Sequence, residues 1–201
     1  PITHRPDGPA VLRGLTHRIA SPLRRLLQDP ASLLAPLVTP GETVLEVGPG
    51  HGFHTLPLLE LVGTRGRLVG VDCRTGPLAD LERRAARRGL AASLEARHCR
   101  RDTLGVADLR GRVDLVVAID VVHEAVDPER MIGEMVHVLR PGGRLLLAEP
   151  RGRVQRDRFL WYHGLARESG LVAVDWPRQR RQMTVVMRRG VAGEPDRHRN
   201  S

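Results

Sequence analysis

Apolar and polar positions along this chain follow two rhythms that replace one another in turn. Short runs that are apolar at nearly every position alternate with longer stretches whose apolar residues recur every three or four positions. The runs at 43–47, 67–71 and 144–148 predict strands, with a weaker one at 94–97. The run at 113–119 is apolar almost throughout, as in a strand buried on both faces of a parallel sheet. Between them the spacing predicts helices over 55–61, 77–88 and 128–140. The second carries Leu78, Leu81 and Ala85 on one face and stops at Gly89. Asp127 and Pro128 supply an N-cap and a first-turn proline for the third, and Pro141-Gly142-Gly143 ends it. A helix over 157–169, stopped by Gly170, leads to strands at 171–175 and 183–188. No helix separates those two strands, so they should be antiparallel, since a parallel crossover takes a dozen residues or more. The alternation as a whole predicts a doubly wound α/β fold.

Upstream, residues 12–27 and 32–38 read as two short helices separated by Asp29-Pro30 and closed by Thr39-Pro40-Gly41. The expected organisation is a helical cap or lid over 1–40, one α/β domain over 41–189, and a tail over 190–201. Residues 1–10 and the tail lack a hydrophobic period and are expected to be mobile.

The first strand runs directly into glycines at every second position: Glu46-Val47-Gly48-Pro49-Gly50-His51-Gly52. Glycine is needed where the backbone turns left-handed or approaches a ligand more closely than a Cβ allows. In an open parallel sheet, ligands sit outside the carboxyl ends of the strands, where helix N-termini aim their N–H groups outward. The dinucleotide fingerprint G-x-G-x-x-G would place its third glycine where Phe53 stands. The second strand closes on Asp72, whose carboxylate only accepts hydrogen bonds, each worth about 1.5–3 kcal/mol when the acceptor is charged.

On these residues, from Glu46 through Gly52 together with Asp72, the chain resembles class I S-adenosylmethionine-dependent methyltransferases. The resemblance extends from about Thr43 to Arg188 and takes in the Pro-Gly-Gly turn and the closing hairpin. It implies a mostly parallel seven-stranded sheet of order 3-2-1-4-5-7-6, strand 7 antiparallel, with helices on both faces. It implies S-adenosylmethionine as cofactor, with the turn of Gly48, Pro49, Gly50 and Gly52 facing its methionine part and Asp72 accepting from both ribose hydroxyls. Glu46 would add negative charge near the cationic sulfonium and ammonium groups. Asp102 would touch the adenine amino group, and Asp120, closing the fourth strand, would stand beside the transferring methyl.

Several candidates have a plainer reading beside the functional one. Asp72 also suits a helix N-cap, Asp120 a cap for the following turn, and Asp102 an ion pair with Arg100 or Arg101. His123 is the candidate general base, since an imidazole with an ordinary pKa near 6.5 can take a proton at neutral pH; its alternative is to pin the loop by hydrogen bonds. Glu149 ends the fifth strand and either lines the same mouth or pairs with Arg151 or Arg153. Phe53 and His54 open the first helix where substrate or cofactor would pass. Trp161, Tyr162 and His163 lie on the helix before the hairpin, and Trp161 is expected in the core. The arginine runs at 83–84, 87–88 and 180–181 read as solvated faces.

Composition changes this picture only slightly. A net charge of +9 would suggest a polyanionic partner, but all 32 basic residues are arginines, which points to a bias of the whole chain rather than a selected patch. Five aromatics leave little for base stacking, so nucleic-acid binding is not favoured. Cys73 and Cys99 form neither a metal spacing nor a disulfide framework, no metal site is expected, and no run suits a membrane span. A soluble, cytoplasmic enzyme methylating a small-molecule acceptor is the expectation. RNA or protein methylation, a non-catalytic cofactor-binding protein and an NAD-binding protein are its rivals. The N/D-P-P-Y/F motif of nucleic-acid amino-methyltransferases is absent after the fourth strand, where Ile119-Asp120-Val121-Val122 stands, and arsenite methylation would need more thiolates than two.

Overall fold

A computed structural model describes residues 30–191. The expected helix over 12–27 and most of both termini lie outside the described residues.

Seven strands form one sheet in the order β3-β2-β1-β4-β5-β7-β6. Their ranges are β1 Thr43–Val47, β2 Arg67–Asp72, β3 Leu94–His98, β4 Val113–Ile119, β5 Leu139–Pro150, β6 Leu171–Asp175 and β7 Gln182–Arg189. The first five run parallel, and β7 lies antiparallel between β5 and β6. Both features match the expected topology.

The alternation of side chains splits the core into two layers. Leu45, Val47, Val116, Ala118, Leu145 and Leu147 face one way, toward α4 Pro128–Val138 and α5 Arg156–Glu168. Val44, Leu115, Val117, Leu146 and Ala148 face the other, toward α1 Pro30–Leu34, α2 Thr55–Val62 and α3 Thr75–Arg87. Strands covered on both faces cannot alternate polar with apolar, and this is why β4 reads as one continuous apolar run.

The boundaries depart from expectation at three places. Pro30 begins α1 instead of breaking before it, a position where a missing N–H costs nothing, and a short 3₁₀ turn carries on to Leu37. Helix α3 starts at Thr75, two residues early, because Pro77 sits in the first turn, where its nitrogen has no partner to lose. Helix α4 ends at Val138, before the Pro-Gly-Gly turn, because Leu139 already pairs with Val113. From there β5 advances five residues, to Arg144, while β4 advances two, to Leu115, so Pro141-Gly142-Gly143 lies in an irregularity of the strand. A Cβ at Gly143 would meet the Arg140 and Val113 carbonyl oxygens at 2.9 and 3.0 Å.

Candidate active site

The turn after β1 is built around positions that exclude side chains. Gly48 has φ +70°, and a Cβ there would lie 2.7 Å from Val121 Cγ2; Gly52 has φ +83°, and its Cβ would lie 2.6 Å from Leu81 Cδ1. The Gly48 amide donates to the Val71 carbonyl at 2.9 Å, and that of Gly50 donates to Asp72 Oδ2 at 3.2 Å. Asp72 is 4% exposed at the carboxyl end of β2. It is not the N-cap of α3, a place taken by Arg74. Instead Arg74 wraps its carboxylate: the backbone N–H and Nε donate to Oδ1 at 2.9 and 3.0 Å, and Nη2 donates to Oδ2 at 3.0 Å.

A first cleft opens here, bounded by Gly48, Asp72 and Arg74 on one side and by Cys99, Asp102 and Val121 on the other. Asp102 is exposed and pairs with Arg100, whose Nε lies 3.0 Å from Oδ1; this pairing holds the carboxyl below its usual range. Glu46 lines neither this cleft nor the second. It points into the layer under α2, 2% exposed, with Oε2 lacking a hydrogen-bond partner among the described residues. Burial pushes its carboxyl up to about 7, against the nearby Thr55 hydroxyl and with the added repulsion of Asp72.

Asp120, His123 and Glu149 are brought together at the ends of β4 and β5. Asp120 has φ +56°, a left-handed backbone unusual outside glycine. Its N–H donates to the Ala148 carbonyl at 2.8 Å, and its Oδ1 accepts from Gln182 Nε2 at 2.9 Å. Glu149 is fully buried and pairs with neither Arg151 nor Arg153. It accepts the Val122 and His123 backbone N–H groups at 2.8 and 3.3 Å and the His123 Nδ1 proton at 2.5 Å. Burial pulls the His123 pKa down, but the Glu149 hydrogen bond, with the charges of Glu149, Glu124 and Asp120, outweighs it and leaves the imidazole above its ordinary value. The imidazole is thus held in the loop, with Nδ1 engaged and Nε2 3.9 Å from Glu124.

A second cleft lies where Phe53 and His54 meet the residues just ahead of β7. Arg180 and Arg181, exposed as expected of a solvated face, belong to its wall together with Arg178 and Gln182. Trp161 corrects another expectation. It is 41% exposed, with the Arg158 guanidinium 4.4 Å above its ring, while Phe159 and Tyr162 take the core positions of α5. Helical periodicity points only one face inward, and Trp161 lies off it. Sequence reasoning missed Arg74, Arg178 and Gln182; only Arg74 carried a signal, its spacing two residues after Asp72.

A family model described as a methyltransferase domain matches residues 38–182. Among curated proteins, the chain is 33% identical over 112 residues to an arsenite methyltransferase of Halobacterium salinarum, covering 56% of this chain and 28% of that protein. It is 30% identical over 109 residues to the ubiquinone/menaquinone biosynthesis C-methyltransferase of Klebsiella pneumoniae, covering 54% and 43% respectively. The chain therefore spans less than half the length of these relatives. Among solved structures, a SAM-dependent methyltransferase from Aquifex aeolicus superposes with a TM-score of 0.73 at 20% identity, covering 84% of this chain and 93% of that one. The match to the family model covers well over half of the sequence: this chain belongs to the methyltransferase-domain family, as a class I S-adenosylmethionine-dependent methyltransferase domain.

Proposed function

We propose that the protein moves a methyl group from S-adenosylmethionine to a small-molecule acceptor that meets the donor between the two clefts. The observation that carries this reading is the buried Asp72 carboxylate facing a glycine turn that a Cβ would close. Both fit the cosubstrate: an acceptor-only group suits a pair of hydroxyls, and backbone without side chains suits a close approach. The names of the curated relatives support a small acceptor, since arsenite and quinones are small molecules.

When bound, the cosubstrate supplies a methyl already activated by its sulfonium. What remains for the protein is alignment, which can supply roughly 7–11 kcal/mol. In this reading Asp72 and the Gly48–Gly52 turn hold the donor, with Asp102 at the adenine end. Asp120, fixed from both sides by Ala148 and Gln182, stands where donor and acceptor meet. An acceptor that must lose a proton gives it to His123 at Nε2. Glu149 accepts from Nδ1 throughout, fixing the tautomer and steadying the imidazolium.

Arsenite is disfavoured as acceptor. The two cysteines of the chain, Cys73 and Cys99, both lie in the wall of the first cleft, and burial raises the Cys99 thiol to about 11, which keeps it protonated and a poor ligand. Calorimetry tests the donor assignment. S-adenosylmethionine should bind and NAD should not; tighter binding of NAD would overturn the reading.

A further inference from the structure

We propose that the second cleft is the acceptor site and that it takes an anionic acceptor, a small molecule whose carboxylate or phosphate is held by Arg178, Arg180 and Arg181. This rests on the methyltransferase reading and adds the class of substrate.

Charge is compensated differently in the two clefts. Of the three arginines at the first cleft, Arg74 and Arg100 are each paired with a carboxylate, Asp72 and Asp102, and only Arg101 is left without one among the described residues. In the second cleft, Arg178, Arg180 and Arg181 are exposed, and none has an ion-pair or hydrogen-bond partner for its guanidinium among the described residues. Three guanidiniums within four residues repel one another, and among the described residues no acidic side chain stands in the wall they share with His54 and Phe53. Such a wall is completed by an anion, and the planar fork of arginine matches the paired oxygens of a carboxylate or phosphate.

The segment is also anchored. Arg151 donates its backbone N–H to the Arg181 carbonyl at 2.9 Å and its Nε to the Gln182 carbonyl at 3.1 Å. These contacts fix the end of the arginine segment to β5. Gln182 then spans the distance to the reaction centre, with its backbone at the arginine segment and its amide on Asp120. In the proposal, an acceptor with its anionic end on the arginines extends along Gln182 toward Asp120, which itself lies outside the cleft wall. The cavity, about 620 Å³, has room for such a molecule, and Phe53, Leu33 and Pro30 give it an apolar side. The chemistry points to an amphipathic acid, polar at one end and apolar along its body.

The test uses the whole chain saturated with S-adenosylhomocysteine. Benzoate and its neutral isostere benzamide are titrated by NMR, against the protein and against the triple variant Arg178→Gln/Arg180→Gln/Arg181→Gln. Benzoate should bind at least tenfold more tightly than benzamide, and the triple variant should lose that preference while its affinity for S-adenosylmethionine stays within twofold. Equal binding of the two probes, or benzoate affinity unchanged in the variant, overturns the proposal. A twelve-nucleotide RNA held by the same three arginines more tightly than benzoate also overturns it, in favour of a nucleic-acid acceptor. Failure of S-adenosylmethionine to bind would instead overturn the methyltransferase reading, and the benzoate comparison separates the two failures.

Discussion

The two clefts are constructed on different terms, and only the second touches Asp120, through the amide of Gln182. The first is made of backbone that admits no Cβ and of carboxylates already partnered, so its shape is set by the fold itself. The second is made of side chains on the segment ahead of β7, and its positive charge is left uncompensated by the described residues. A cosubstrate common to a whole family can be met by backbone geometry, which tolerates few substitutions. An acceptor particular to one enzyme is met by loop side chains, which can be exchanged without disturbing the sheet.

The largest effect should come from the first cleft. Asp72→Ala removes both acceptor oxygens offered to the ribose, at about 1.5–3 kcal/mol each, and should weaken S-adenosylmethionine binding by roughly 10²–10⁴-fold in calorimetry. Binding of benzoate in the second cleft should not change. An unaltered affinity for the cosubstrate would remove Asp72 from the ribose site and with it the claim that the fold sets the donor.

Replacement of His123 separates binding from chemistry. For an acceptor that must be deprotonated, His123→Ala should lower turnover about a hundredfold while cosubstrate affinity stays within a few-fold. The sign of the pH dependence follows from the raised imidazole pKa. A base must be neutral to work, so turnover should climb as pH rises through a value above 6.5, and Glu149→Gln should move that limb to lower pH. The same pairing stabilises the fold fully below the unfolded value of 6.5 and less as pH passes the folded one. Equal turnover in His123→Ala would leave alignment as the whole mechanism.

How much of this was legible in the sequence follows from the same contrast. The order of strands in the sheet came only with the family resemblance. The succession of strands along the chain, the glycine turn and Asp72 were readable because each rests on a local rule: continuous apolar runs, left-handed backbone, a carboxylate at a strand end. The Asp127 cap on α4 was readable for the same reason, and its Oδ1 accepts from the Arg130 N–H at 3.0 Å. What was not legible depends on partners far apart in the chain. The contact of Glu149 with His123 spans 26 residues, and that of Gln182 with Asp120 spans 62. Trp161 was misplaced because periodicity names a face of the helix without naming the single residue that slips off it.

A smaller effect belongs to Glu46, which lies beneath the first cleft. Its carboxyl has an ordinary pKa of 4.5 and is pushed up to about 7 on folding, so the folded chain holds a proton that the unfolded chain has released. Stability should therefore fall as pH rises from 4.5 to about 7 and level off above that. The loss is on the order of 3 kcal/mol at most, at about 1.4 kcal/mol per pKa unit. Glu46→Gln should flatten this slope in urea melts taken across the range. A slope that survives in the variant would mean that another titrating group, not Glu46, causes it.

The smallest effect tests the comparison most directly, because it asks whether the pairing of Asp72 belongs to the site or competes with it. All four hydrogen bonds to this carboxylate come from the chain itself, three of them from Arg74. A ribose can reach Asp72 only by sharing its oxygens with that guanidinium or displacing it. Because Arg74 is 44% exposed, the ion pair is screened and contributes no more than about 1 kcal/mol. If the guanidinium competes, Arg74→Ala should tighten S-adenosylmethionine binding by up to about fivefold and reduce its sensitivity to salt, since the ligand no longer breaks an ion pair on entry. If Arg74→Ala weakens binding instead, the guanidinium is part of the donor site. Then the first cleft, like the second, would depend on an arginine side chain, and the division between a backbone-built donor site and a side-chain-built acceptor site would no longer hold.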